Sequence, residues 1–270
     1  MTTLPVTVEI ADADADAARL AVVTIDHPPL NLYDQALHEA LRDAVAELER
    51  ARPRAVLVRA EGKLVSGGVD VKQTFQPLAE SGDAAGGTAY FAELVELGRR
   101  IHHLPCPTVF AAHGLTLTWA FEVALACDLI VATPRASFGL IEATVGLTPA
   151  MGGTQRLAER AGIGRARLLV MTAGRFGAEE LERWGVVDRL VPEDGFDDAA
   201  RALAAQLAAG PTRAHAATKE ILRHLTEGGL EAANAVTPDA AGALFATEDL
   251  AGAMRSFVEQ GHGKATFRGE

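Results

Sequence analysis

The sequence predicts an α/β fold that ends in a helical region. Short apolar runs, each the length of a buried strand, alternate with stretches whose apolar residues recur at helical spacing. Such alternation is typical of βα units and a largely parallel sheet. From Phe196 to about Glu259 helical patterns dominate. We therefore predict an α/β core over residues 1–209 and a C-terminal helical region over 210–270, with the boundary near Gly210-Pro211.

Short apolar runs predict the strands, because buried strands of a parallel sheet are almost continuously apolar. These runs span residues 6–10, 20–25, 55–58, 108–112, 129–132 and 186–191. The alternating Ala/Asp run at 11–18 has the composition of a solvated hairpin turn between the first two strands.

Helical spacing is clearest in Leu37, Leu41, Val45 and Leu48, with Asp34 as a plausible N-cap. The same pattern predicts further helices over residues 90–103, 119–127, 154–161, 165–173 and 178–184. Residues 61–70 are predicted to form a glycine-rich loop, and the small, polar run at 81–88 a mobile loop.

Composition limits the classes of function. The chain has 270 residues and 49% hydrophobic content, enough for a full core without disulfides. Its net charge of −11 argues against nucleic-acid and membrane partners, although a local basic pocket or a helix N-terminus could still bind phosphate. The two cysteines, Cys106 and Cys127, have no metal-type spacing, and the N-terminus lacks the features of a signal peptide. We therefore expect a cytoplasmic protein with no metal site.

Glu122 is the first candidate for chemistry, because it is the single acid among eight apolar residues over 119–127. Burial makes a carboxylate costly to ionise and raises its pKa, which suits acid–base catalysis near neutral pH. On this segment alone, an exposed acid at the edge of a mostly buried helix explains the pattern at least as well.

Glu142 is the second candidate, in an apolar stretch at a predicted strand-to-loop junction. Taken alone, it too fits an ordinary surface acid. Gly67 and Gly68 lie in a loop whose backbone amides could closely approach an oxyanion or a phosphate. The alternative is that this loop is a plain tight turn. The segment 152–156 opens a helix, and the N-terminus of that helix would favour a nearby anion. The alternative is an ordinary helix start, capped by Thr154 or a glycine.

Taken together, these segments resemble the crotonase (enoyl-CoA hydratase/isomerase) superfamily from about His27 to the end of the chain. Each motif is modest alone, but their order and spacing are specific, including the separation of 20 positions from Glu122 to Glu142. The matching segments are 27–31, 65–70, 121–128, 138–142, 146–149, 152–157, 184–188 and 264–267.

The resemblance implies a spiral of ββα units and a C-terminal helical region that assembles trimers or hexamers. It implies an acyl-CoA thioester substrate, with coenzyme A as part of the substrate and no separate cofactor. Glu122 and Glu142 would hold one water between them, and the backbone N–H groups of Gly67 and Trp119 would polarise the thioester carbonyl.

Residues Gly67, Gly68, Val69 and Asp70 would line the thioester end of the substrate. Lys264 and Phe267 would reach its nucleotide, in the same or a neighbouring subunit, unless the tail is simply a disordered charged terminus.

The implied activity is a 2-enoyl-CoA hydratase, which uses both acids. A Δ3-Δ2 enoyl-CoA isomerase, which needs one, is the alternative. The chain departs from the family at Thr118-Trp119-Ala120, where a Gly-Gly-Gly-like stretch is usual. Glycine permits a positive φ that tryptophan resists. If the indole blocks the oxyanion hole, a CoA-ester-binding protein with little catalysis becomes the expectation.

Overall fold

Two sheets and a shell of helices make up the computed structural model, which describes residues 4–10 and 19–270. The predicted turn at 11–18 lies outside the described residues. The strands are β1 (Val6–Ile10), β2 (Leu20–Ile25), β3 (Ala55–Ala60), β4 (Thr108–Ala112), β5 (Leu115–Leu117), β6 (Leu129–Ala132), β7 (Ser137–Gly139), β8 (Phe176–Gly177) and β9 (Arg189–Leu190).

The helices range from four to 31 residues in length. They are α1 (Gln35–Ala51), α2 (Val71–Thr74), α3 (Gln76–Ser81), α4 (Ala84–His102), α5 (Trp119–Ala126), α6 (Gly153–Ala161), α7 (Ile163–Thr172), α8 (Ala178–Arg183), α9 (Phe196–Ala208), α10 (Thr212–Gly242) and α11 (Glu248–Gln260). Short 3₁₀ helices cover Glu142–Val145 and Ala243–Ala246.

The main sheet has the strand order β1-β2-β3-β4-β6-β9. Only the β1–β2 pair is antiparallel among these strands, so the predicted parallel arrangement is confirmed. Helices α1, α4 and α5 pack on one face and α9 on the other. Both faces of the central strands are therefore buried, which explains their continuous apolar runs.

A second sheet of three short strands, in the order β5-β7-β8, leads into the two elements that bear the candidate acids. Strands β5 and β7 are parallel, and α5 follows β5 while the 3₁₀ helix of Glu142 follows β7. Because the carboxyl ends of parallel strands lie at the same edge, the elements that bear Glu122 and Glu142 are brought together there. The sequence analysis did not predict this sheet.

Most predicted elements are confirmed, including α1, where the Asp34 carboxylate accepts a 2.8 Å hydrogen bond from Leu37 N–H. The predicted mobile loop at 81–88 is wrong over its second half, because α4 begins at Ala84. There the Asp83 side chain caps the helix by accepting from Gly86 N–H. The predicted strand at 186–191 is reduced to β9, since only two of its residues pair with β6.

Helix α10 begins at Thr212 and bends at Gly229, where φ is +75°. Its Lys219 ammonium donates to the Asp128 carboxylate at 2.7 Å and so ties the C-terminal region to the core. Whether this region is a separate domain or a trimerisation element stays a prediction. No helix among the described residues combines the length and apolarity needed to span a membrane.

Candidate active site

The Glu122 side chain is buried, with 4% of its surface exposed. Its Oε1 atom accepts hydrogen bonds from two backbone amides, Met151 N–H at 2.7 Å and Gly153 N–H at 2.9 Å. These amides belong to the turn that opens α6. The positive end of this helix is therefore directed at the carboxylate, which stabilises its charged form. The helix N-terminus that the sequence predicts as an anion site at 152–156 therefore faces the Glu122 carboxylate.

Glycine is required where this turn meets Glu122. A Cβ atom on Gly153 would lie 2.6 Å from Glu122 Cγ, well inside contact distance, and Gly152 has a φ of +94°. The Arg156 guanidinium holds the turn from the other side by donating to the Met151 carbonyl oxygen at 2.9 Å. The glycine pair thus lets the backbone approach the acid closely enough for two amides to bind one oxygen.

Two opposing effects set the pKa of Glu122. Burial, the larger effect, raises the pKa of Glu122 above its ordinary value, and the amide hydrogen bonds and the positive charge of Arg156 offset part of that rise. A carboxylate with two amide donors on one oxygen is better suited to carry charge than a buried carboxyl without such donors.

The Glu142 carboxyl has fewer hydrogen-bond donors around it than the Glu122 carboxyl. It is the first residue of its 3₁₀ helix, and its buried Oε2 atom has no hydrogen-bond partner among the described residues. Burial and, second, the charge of Glu122 raise the pKa of Glu142 to about 8. Two carboxyls that repel one another in a buried site do not both ionise near neutral pH. Burial raises the pKa of both acids, but only Glu122 has two amide donors on one oxygen, so the hydrogen-bond geometry favours one shared proton held on Glu142.

The Trp119 indole packs into the core. Only 2% of the residue is exposed, and its ring centroid lies 5.4 Å from that of Tyr33. Its Nε1–H donates to the Ser66 hydroxyl oxygen at 2.8 Å. The positive φ that glycine would favour falls on Thr118, at +51°, and Trp119 is the first residue of α5. The strained φ therefore falls on Thr118, outside the helix, and α5 begins at Trp119.

The backbone of the glycine-rich loop corrects the assignment of Gly67 to the oxyanion hole. Gly67 N–H already donates to the Leu30 carbonyl oxygen at 2.8 Å, so it is not free to bind a thioester oxygen. Gly68 C=O and Asp70 N–H both bond to Tyr33. Because hydrogen-bonding groups alternate in direction along extended backbone, Val69 N–H faces the opposite side. Within the described residues, that amide donates to no protein acceptor.

The remaining loop residues have local structural roles. Gly68 has a φ of +111° and is buried against Thr118. The Asp70 carboxylate caps α2 by accepting from Gln73 N–H at 3.1 Å. Sequence reasoning missed Ser66, whose signal was only its place within the loop motif.

Within one chain, the Phe267 backbone lies at the opposite end of β3 from this loop, and the role of Lys264 stays a prediction. The Phe267 carbonyl oxygen accepts from Arg54 at 2.9 Å, at the start of β3, whereas the loop follows the end of that strand. The tail is anchored rather than disordered, because the buried Asp249 carboxylate accepts from the amides of Arg268 and Gly269 at 2.7 and 2.8 Å.

Comparisons with known proteins agree with this geometry. A family model described as enoyl-CoA hydratase/isomerase matches residues 15–269. A carnitinyl-CoA dehydratase from Salmonella enteritidis is 37% identical over 207 residues, which cover 76% of this chain and 77% of the relative.

Solved structures are similar over almost the whole chain. A Streptomyces coelicolor protein provisionally assigned as an enoyl-CoA hydratase is 32% identical, with a TM-score of 0.89 and coverage of 98% of this chain and 94% of that one. Enoyl-CoA hydratase from Bacillus anthracis is 25% identical, with a TM-score of 0.85 and coverage of 98% and 100%.

Gly153→Ala should lower turnover of a CoA thioester about a hundredfold, because the added methyl group must displace the Glu122 carboxyl. Steady-state kinetics beside a thermal melt measure this. Gly164→Ala is the matched control, since a methyl group there meets no neighbouring atom in α7. Equal turnover in both variants would contradict the role given to the Gly153 contact.

Proposed function

The chain belongs to the enoyl-CoA hydratase/isomerase family, and we propose that it adds water across the 2,3 double bond of a 2-enoyl-CoA thioester. The observation that carries this proposal is a pair of glutamates, Glu122 buried and Glu142 half-buried, with unequal hydrogen-bond environments. Glu122 accepts two amide hydrogen bonds, whereas Glu142 has a buried oxygen without a partner and a pKa of about 8.

In the proposed step, the ionised Glu122 takes a proton from a water molecule whose oxygen bonds to C3. The π electrons move toward C2 and the thioester oxygen, which gains negative charge. Glu142 then gives its proton to C2, so that the substrate has gained one water. A proton passing from Glu122 to Glu142 restores the starting state. Each acid contributes as a positioned general base or acid.

For the oxyanion hole, we propose the backbone amides of Val69 and Trp119. Ser66 and Thr116 form a parallel bridge, and Gly68 packs against Thr118, so Val69 and Trp119 follow directly from neighbouring segments. Trp119 begins α5, so its N–H has no carbonyl partner in the helix. Two amides aimed at developing charge are worth several kcal/mol in a dry site. Gly68 and Asp70 support this loop in the proposal.

A second candidate is dehydration of a 3-hydroxyacyl-CoA such as carnitinyl-CoA, which the 37% identity to carnitinyl-CoA dehydratase favours. This reaction is the reverse of hydration and uses the same two acids. Isomerisation of a 3-enoyl-CoA is less well supported, because it requires only one proton-transferring acid.

Assembly into a homotrimer or hexamer is also proposed. Large apolar side chains are exposed in α11 and the segment before it, including Phe245 at 81% and Val258 at 83%. Burial of such side chains favours association. In an assembly, Lys264 and Phe267 would be placed to serve the substrate of a neighbouring copy.

Glu122→Gln and Glu142→Gln should each lower turnover at least about a hundredfold, as expected when a general base or acid is lost. The assay follows absorbance of the conjugated thioester with crotonyl-CoA, longer 2-enoyl-CoAs and carnitinyl-CoA. Glu159→Gln, on the surface of α6, is the control. No turnover of any of these esters by the unmodified protein would defeat the proposal, and full activity in either variant would remove that acid from it.

The pH dependence of kcat/KM should reflect Glu142. Because the pKa of Glu142 is raised to about 8, its proton is present below that pH and lost above it. Hydration should therefore be nearly constant at pH values more than about one unit below 8, fall to about half near pH 8 and decline further above it. A pH series with crotonyl-CoA measures this limb. Activity that instead rises through pH 8 would show that Glu142 acts in its ionised form.

A further inference from the structure

The Ser66 hydroxyl lies at the centre of a buried hydrogen-bond cluster that joins two segments of the site. Its oxygen accepts from Trp119 Nε1–H at 2.8 Å and from Gly68 N–H at 3.0 Å. Its proton is donated to the Asn31 carbonyl oxygen at 2.7 Å. Ser66 has no exposed surface and Trp119 has 2%, so water does not compete for these bonds.

This cluster connects the two backbone segments that bear the proposed oxyanion amides. Ser66 is three residues before Val69, and the indole belongs to the residue whose own N–H is the second amide. The direct bond between Ser66 and Trp119 is therefore a side-chain link between the two halves of the hole. A glycine in place of Trp119 would have no side chain with which to make it.

The link also acts on a strained turn. Thr118 has a φ of +51° and a ψ of −120°, a conformation that β-branched residues avoid. Such backbone persists only where its surroundings hold it. Thr118 N–H bonds to the Gly139 carbonyl oxygen at 2.8 Å on one side, and the Trp119 side chain is fixed by Ser66 on the other.

We propose that the Trp119 indole and the Ser66 hydroxyl are positioning residues that hold the Val69 and Trp119 amides in register on the thioester oxygen. This inference rests on the proposed function. The link does not touch the substrate. It limits relaxation of the turn at Thr118, which would swing the Trp119 amide away from the oxygen. Small displacements of this kind lower kcat more than they change substrate binding.

The test uses the full-length protein and acetoacetyl-CoA, a β-keto thioester whose enolate absorbs in the near ultraviolet. Binding to the unmodified protein should lower the apparent pKa of this ligand, because the hole stabilises the enolate oxygen.

In Ser66→Ala and in Trp119→Phe, the enolate should be stabilised about tenfold less. With the preferred enoyl-CoA, kcat should fall about tenfold, whereas KM should stay within about twofold of its value in the unmodified protein. The double variant should lose little more than the larger single loss, because both changes remove the same bond.

Matched controls separate this role from a general loss of indole or hydroxyl. Trp184→Phe changes the other tryptophan, which packs on Phe176, and Ser256→Ala removes a buried hydroxyl that has no partner within the described residues. Both should match the unmodified protein. Ser66→Ala leaves the Trp119 indole in the core, so this variant still tests the bond if Trp119→Phe folds poorly.

Unchanged enolate stabilisation and kcat in Ser66→Ala would overturn the inference while leaving the proposed hydration intact. Additive losses in the double variant would also overturn it. If the unmodified protein neither stabilises the enolate nor turns over any enoyl-CoA, the proposed function fails and the inference fails with it.

Discussion

The site depends on holding a buried carboxylate against the N-terminus of α6. Glu122 lies in an apolar helix, where an unpaired charge is costly. The amides of Met151 and Gly153 meet that cost by bonding to one oxygen, at 2.7 and 2.9 Å. This contact joins α5 to α6 and requires a glycine at 153. Stability and chemistry are therefore set by the same contact, because the packing of α5 on α6 also fixes the acid.

The second sheet turns this local contact into a site with two acids. Strands β5 and β7 are parallel, so Thr118 and the segment that leads to Glu142 leave the same edge. The Thr118 N–H bonds to the Gly139 carbonyl oxygen, and its own carbonyl accepts from Glu122 N–H. One residue thus ties the segments of both glutamates together. The acids differ in amide contacts, and this difference favours a charge on Glu122 and a proton on Glu142.

The larger elements of the fold were predictable because their signals are local. Helix α1 has its cap and apolar stripe in one stretch, and β4 is a continuous buried run. The three-residue strands β5 and β7 gave no such signal, because so short a run has no period. For the same reason α4 was predicted to start too late, since Gly86 and Gly87 resemble a loop when the cap at Asp83 is not recognised.

The two glutamates could be chosen only through their order and spacing among other motifs, since each acid alone fits an exposed position. The direction of a backbone amide was beyond prediction, because it depends on which neighbouring strand takes each hydrogen bond. Gly67 donates to Leu30, so the sequence analysis, which placed Val69 only in the substrate lining, did not assign the Val69 amide to the oxyanion hole. Likewise, nothing near Trp119 in the sequence identifies Ser66, 53 residues away, as the acceptor for its indole.

Infrared difference spectroscopy of the unliganded protein tests the unequal acids most directly. The account predicts a protonated carboxyl C=O stretch that persists at neutral pH, disappears through about pH 8 and is absent in Glu142→Gln. A band that survives in Glu142→Gln, or no band at neutral pH, would contradict it.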